Sequence, residues 1–283
     1  MADAGPPPPP PPGSPFPSGM PRAGGAVAPE TVERFGHPMR HFEVAVSAEA
    51  MALAWANLEN GPHGATVTVT HEVGPRGYHG VIWTSPPTET LACALVLRPA
   101  LAVESADASW LAAGLIAAEA AEAVSDRPLS LWWPDKVVTG TVGPAREMVP
   151  GQATLGPDQE LVASVKTEIQ LGPGRVKNVV VTMRFDVARL GLGAERRDDL
   201  LAAVVAAADS VSERLADGPA AVAAAYEARC ALVGQRVKVK LRPKGETRGT
   251  VRSIDRSARL EIASPSGMIE RVGVDQLMEY SVV

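Results

Sequence analysis

Hydrophobic and polar positions change period several times along this chain, and each change marks an element. HFEVAV, residues 41–46, alternates as a half-buried strand does. From Ser47 onward Met51, Leu53, Ala54, Trp55 and Leu58 fall at helical spacing, and the Ser47 hydroxyl is suited to cap that helix. Gly61 and Gly64 end it. ATVTVTHEV, residues 65–73, alternates again with β-branched residues, which predicts a strand. GPRGYHGVIWTSPPTET, residues 74–90, is a loop punctuated by glycine and proline, and LACALVLRP is a short apolar strand.

DASWLAAGLIAAEAAEAVSD, residues 107–126, reads as a helix with Asp107 or Ser109 near its cap. LSLWWP and KVVTGTV look extended. ELVASVKTEIQL and RVKNVVVTMRFDV read as two strands joined by GPG, a hairpin signal. Helices are expected over Asp198 to Arg214 and Ala220 to Leu232. From Gly234 the texture changes: Val237, Val239 and Leu241 alternate with Lys238, Lys240 and Arg242, a half-buried strand with a basic outer face. Short strands continue to the end, so a small all-β barrel of about five strands is expected. Before all this, residues 1–36 are rich in proline and glycine and have little to bury. A solvated tail is expected there, or a ligand for a proline-recognising domain. The division is therefore a tail at 1–36, an α/β (α+β) domain with a mixed sheet at 37–232, and a barrel at 233–283.

Aromatics are 4% of the 283 residues, so the core must be built from Ala, Val and Leu. A net charge of -5 gives no electrostatic footprint for nucleic acid. Cys93 and Cys230 lie far apart without metal-ligand spacing, which argues against a disulfide framework or a zinc site. The first residues lack a basic and then apolar leader, and no apolar run reaches membrane-spanning length, so a cytoplasmic location without membrane contact is expected.

The order of pieces carries more than any one of them. Trp83-Thr84-Ser85-Pro86-Pro87, Leu97-Arg98-Pro99, Ala112-Ala113-Gly114-Leu115, Trp133-Pro134-Asp135 and Gly234-Gln235-Arg236-Val237 occur at this spacing. Over residues 40–283 the chain resembles the biotin/lipoate protein ligase family, in its form with a C-terminal SH3-like barrel. The resemblance implies ATP and biotin or lipoate as ligands and an acyl-adenylate intermediate. It also implies a biotinyl- or lipoyl-carrier domain as acceptor, and a homodimer is compatible with it. No winged-helix domain precedes the core, so DNA binding is not implied.

Carried over residue by residue, the family pattern is kept in part. Arg76, Gly77 and Gly80 match a phosphate loop that usually reads G-R-G-R-x-G-R, but Tyr78 and Val81 stand where arginines are expected. Trp83, Trp133, Asp135 and Arg184 complete the candidate cofactor-binding set. Against the family's W-P-N-D, Asp135 stands at the Asn position and Lys136 at the Asp position, which reverses a charge. The family's lysine falls at about Leu161. Ala163-Ser164 replaces the small pair that follows, and Lys166 projects from the opposite sheet face. Lys136 and Lys166 are the candidate catalytic cations. Two readings follow: a ligase with a rebuilt adenylate site, or a non-catalytic ligase-like protein that binds a small acid or a carrier protein. Convergence of residues 76, 136, 166 and 184 on one pocket would favour the first.

Further candidates are Trp132 and Trp133 flanking a ligand ring, and a metal pair at His71 and His79. Cys93 is a candidate acyl-carrying thiol, and the basic face with Lys238, Lys240, Arg242, Lys244, Arg248 and Arg252 a candidate partner surface. Packing or solvation explains each of these equally well or better.

Overall fold

The computed structural model describes residues 29–83, 89–125, 127–139, 160–243 and 245–282, with the backbone of 148–149 and 152–153. Residues 1–28 of the expected tail, residues 84–88 of the W-x-S-P-P turn, and Lys244 lie outside them; the end of that tail, expected to run to residue 36, is corrected, because Val32–Arg34 is a strand paired with residues 37–39. A short strand β1 (Val32–Arg34) turns back into β2 (His37–Ala45), which leads through helix α1 (Ala48–Leu58) into β3 (Thr66–Glu72). Because a helix carries the crossover, β2 and β3 run parallel. Ser47 caps α1 as expected, its Oγ accepting from Ala50 N at 3.1 Å.

After β3 come β4 (Thr90–Leu97), helix α2 (Ala108–Val124), β5 (Leu129–Trp132) and β6 (Lys136–Thr139). Two minimal strands, β7 (Met148–Val149) and β8 (Gln152–Ala153), precede the long hairpin β9 (Leu161–Gly172) and β10 (Arg175–Asp186). Gly174, at φ +69°, makes the turn that GPG predicts. The eight-stranded sheet has the order β1-β2-β3-β4-β10-β9-β6-β5, and every pair except β2–β3 is antiparallel. It is a mixed sheet in an α+β protein.

Helix α1 packs on one face over Val67, Val69, Val96 and Val180. The other face is covered by α2, α3 (Arg197–Ala216) and α4 (Pro219–Glu227). Small residues let α2 sit inside the core: Leu111, Leu115, Ile116 and its alanines up to Ala121 are buried. Gly114 faces Tyr226, whose Cε2 would lie 2.7 Å from an added Cβ. The second C-terminal helix ends at Glu227, earlier than its apolar pattern predicts. Residues 229–231 leave it to pair with the edge of β5, where Leu131 N donates to Arg229 O and Ala231 N to Leu131 O.

Five antiparallel strands close the chain in the order β14-β13-β12-β11-β15. They are β11 (Arg236–Leu241), β12 (Glu246–Ile254), β13 (Leu260–Ala263), β14 (Ile269–Val272) and β15 (Leu277–Val282). Val237 and Val239 point inward as the alternation predicts, while Lys238 and Lys240 meet Glu246 and Glu279 of neighbouring strands. Apolar packing runs without a break from α2 through Tyr226 and Leu232 to Val237 and Tyr280, so this sheet shares its core with the larger layer. Among the described residues no helix is long and apolar enough to cross a membrane.

Candidate functional site

Register builds the site. Lys136 on β6 lies opposite Ser164 on β9, and Ser164 lies opposite Arg184 on β10. Directly paired residues share a face of the sheet, so these three side chains stand in a row on the α1 side. Where this row meets the end of β10 and the start of β4, a cavity of about 410 Å³ opens. Trp83 and Leu161 give it apolar surface, and Ser164, Asp135, Lys136 and Arg184 supply polar groups. Glu89, Asp186 and Arg189 complete its charged lining.

Among the described residues every cation in that lining is bonded to a carboxylate. Lys136 Nζ donates to Asp135 Oδ1 at 2.7 Å, with both side chains nearly withdrawn from solvent. Arg184 Nη1 donates to Glu72 Oε2 at 2.6 Å, also in the interior. Burial lowers the pKa of this guanidinium, and the Glu72 charge opposes the shift. Glu72 is doubly used, because its Oε1 accepts from Ala48 N at the start of α1, at 2.8 Å. Arg189 Nε meets Asp186 Oδ2 at 3.1 Å. Among the described residues three cations face three carboxylates, Glu89, Asp135 and Asp186, so this part of the lining carries no net positive charge.

Lys166 does project from the face opposite Leu161, but it stops short of the cavity. Its register partner is Thr182, one step deeper than Arg184. There its Nζ meets Glu49 at 2.6 Å and Glu168 at 2.8 Å beneath α1. Burial pulls the ammonium's pKa down, but the hydrogen bonds to Glu168 and Glu49 outweigh it and hold it above the usual value. Glu49 is shifted up, first by burial and against the pull of Lys166.

The loop before Trp83 is closed on itself. Gly77 N donates to Val81 O, Trp83 N to Pro75 O, and Arg76 bridges Ile82. Arg76 lies exposed, its Nη1 3.3 Å from Gly80 O, and does not reach the cavity. Gly77 lies against the Trp83 indole, where a Cβ would come within 2.5 Å of Nε1. Gly80 takes φ +72°. Of the four basic positions, the fold brings Lys136 and Arg184 together and leaves Arg76 and Lys166 elsewhere.

Trp132 and Trp133 do not flank a ligand ring: both are fully buried in the main apolar core. The His79 ring is bonded to Leu277 O, and no cluster of three metal-ligating side chains forms among the described residues. Cys93 is fully buried, and burial followed by the nearby Glu72 charge pushes its thiol up to about 12, which rules out an acyl-carrying thiolate near neutral pH. Sequence reasoning missed Glu72, Glu89, Asp186 and Arg189. Glu72 ends an ordinary alternating strand, and nothing local marks it as the partner of an arginine 112 positions on.

A search of solved structures gives a biotin protein ligase from Aquifex aeolicus in complex with biotin and ATP, at a TM-score of 0.63 and 16% identity. It covers 87% of this chain and 99% of that one. The apo biotin protein ligase of the same organism follows at 0.59 and 15%, covering 85% and 97%. A biotin protein ligase-like protein of unknown function from Silicibacter sp. TM1040 matches at 0.57 and 14%, covering 83% and 94%. No family model matches the chain, and no curated protein matches it. At these identities the likeness shows the fold, which is that of a biotin/lipoate protein ligase-like protein.

Proposed function

We propose that this chain is a ligase-fold binding protein that takes a small organic acid or zwitterion in the cavity beside Lys136 and Arg184, and that it does not form an acyl-adenylate. One observation carries the reading: among the described residues each cation in the lining, Lys136, Arg184 and Arg189, is already bonded to a carboxylate. Holding a triphosphate requires positive charge in excess, arranged for charge-assisted hydrogen bonds to the phosphate oxygens. A lining with equal numbers of cations and carboxylates offers none to a polyanion. It still offers local dipoles to a compact ligand, with the Trp83 indole as an apolar wall. Leu161, at the position where the family keeps a lysine, adds apolar surface instead of charge.

A second reading, an ATP-dependent biotin- or lipoate-protein ligase, is favoured by the meeting of Lys136, Arg184 and Trp83 at one cavity. Biotin and ATP, the ligands of the Aquifex structure, are therefore the first probes. Under either reading a biotinyl- or lipoyl-carrier domain is the partner to try, with the exposed edge strand β1 as a place for strand pairing. Calorimetric titration with ATP, biotin, lipoate and octanoate, singly and as acid–ATP pairs, separates the two readings. The binding-protein reading expects an acid isotherm that ATP leaves unchanged. An acid affinity that rises with ATP, followed by transfer to a carrier lysine, overturns it.

A further inference from the structure

We propose that the C-terminal sheet sets one wall of the cavity through Tyr78, a positioning residue 196 positions away from its partner. Tyr78 is buried, and its hydroxyl donates to Val274 O at 2.6 Å and approaches Leu277 O at 3.3 Å. Its ring meets Trp110 edge-on, with centroids 5.1 Å apart. On the next residue, His79 Nε2 donates to Leu277 O at 2.9 Å, while its backbone sits at φ +55°, a conformation that side-chain-bearing residues rarely adopt. Two successive loop residues thus end on the carbonyls of one segment, Val274–Leu277.

The same loop supports the cavity from its other side. Gly77, directly before Tyr78, is the surface on which the Trp83 indole rests. Trp83 lines the cavity and lies under the Arg184 guanidinium, 5.6 Å from ring centroid to Cζ. Closure of the loop by the Gly77–Val81 and Trp83–Pro75 hydrogen bonds makes it a small stiff ring. Moving Tyr78 therefore moves Gly77, and Trp83 follows. Burial pushes the phenol's pKa well above its ordinary value, so the hydroxyl stays a donor throughout the physiological range. In sequence this segment keeps part of a phosphate-loop pattern; in the fold it is pinned, and the pin acts on the wall whatever the cavity holds.

The test is Tyr78→Phe, which keeps the ring on Trp110 and removes only the hydroxyl. Amide exchange over residues 76–83 should rise about tenfold, the scale of one net hydrogen bond. The Trp83 signal, taken as the emission difference between Tyr78→Phe and Tyr78→Phe/Trp83→Phe, should shift to the red and become easier to quench than in the parent pair. A hydroxyl that matters only for global stability lowers the melting temperature and leaves this difference spectrum in place; that result overturns the proposal. Should Tyr78→Phe fail to fold, His79→Gly removes the second bond and relieves the left-handed backbone. Exchange over 76–83 should again rise, and unchanged exchange there overturns the pin.

Discussion

Glu72→Gln probes the charge argument most directly. Glu72 holds Arg184 at 2.6 Å and the first turn of α1 at 2.8 Å, in the interior. Glutamine keeps an acceptor for Ala48 N but no charge for Arg184. Breaking a buried ion pair by removing one member costs about 3 kcal/mol at the lower end of the usual range, which suits a replacement that keeps one of two bonds. For a chain of this size that is a fall of roughly 6 to 12 °C in melting temperature. The freed guanidinium faces the cavity, where a charge-assisted bond to phosphate is worth about 1.5–3 kcal/mol, or roughly ten- to a hundredfold in affinity. Calorimetry with ATP and inorganic phosphate at low salt should therefore show binding in the variant that the parent lacks, weakening as salt is added. Glu72→Gln/Arg184→Met removes both charges and should recover most of the stability while losing the new binding. A folded Glu72→Gln protein with no gain in phosphate binding would refute the idea that paired cations are what keep polyanions out.

Asp107→Asn tests a carboxylate at the junction with the C-terminal sheet. Burial, and then the Asp275 charge, raise Asp107 to about 6, against the pull of the Val274 N–H. A carboxyl raised in the folded state favours folding while protonated, so parent stability should fall as pH rises from about 4 to 6, by roughly 2 to 3 kcal/mol. Denaturant titrations across that window should show the slope in the parent and its loss in Asp107→Asn. Gly114→Ala forces a Cβ to 2.7 Å from the Tyr226 ring, and overpacking of this kind should cost about 1–3 kcal/mol in chemical denaturation. Cys93 should stay unmodified by a thiol reagent at pH 8 in the native protein and react once urea unfolds it, since burial holds its thiol up at about 12.

Because periodicity and turn chemistry are local, the sequence by itself determined the main elements and their order, though not the short strand at Val32–Arg34 or the early end of the last helix at Glu227. The capped helix after Ser47, the GPG hairpin and the alternating strand from Arg236 all follow from spacing that a reader can count. That order also sufficed for the resemblance to biotin/lipoate protein ligases. Only the tertiary structure decided what the charged residues do. Lys136 and Arg184 meet because β6, β9 and β10 pair in one register, and Lys166 misses the cavity by a single register step. Glu72 neutralises Arg184 across 112 positions, and Tyr78 reaches Val274 across 196. Such pairings depend on long-range sheet register and on which side chains burial brings into one low-dielectric space, and no local pattern encodes either.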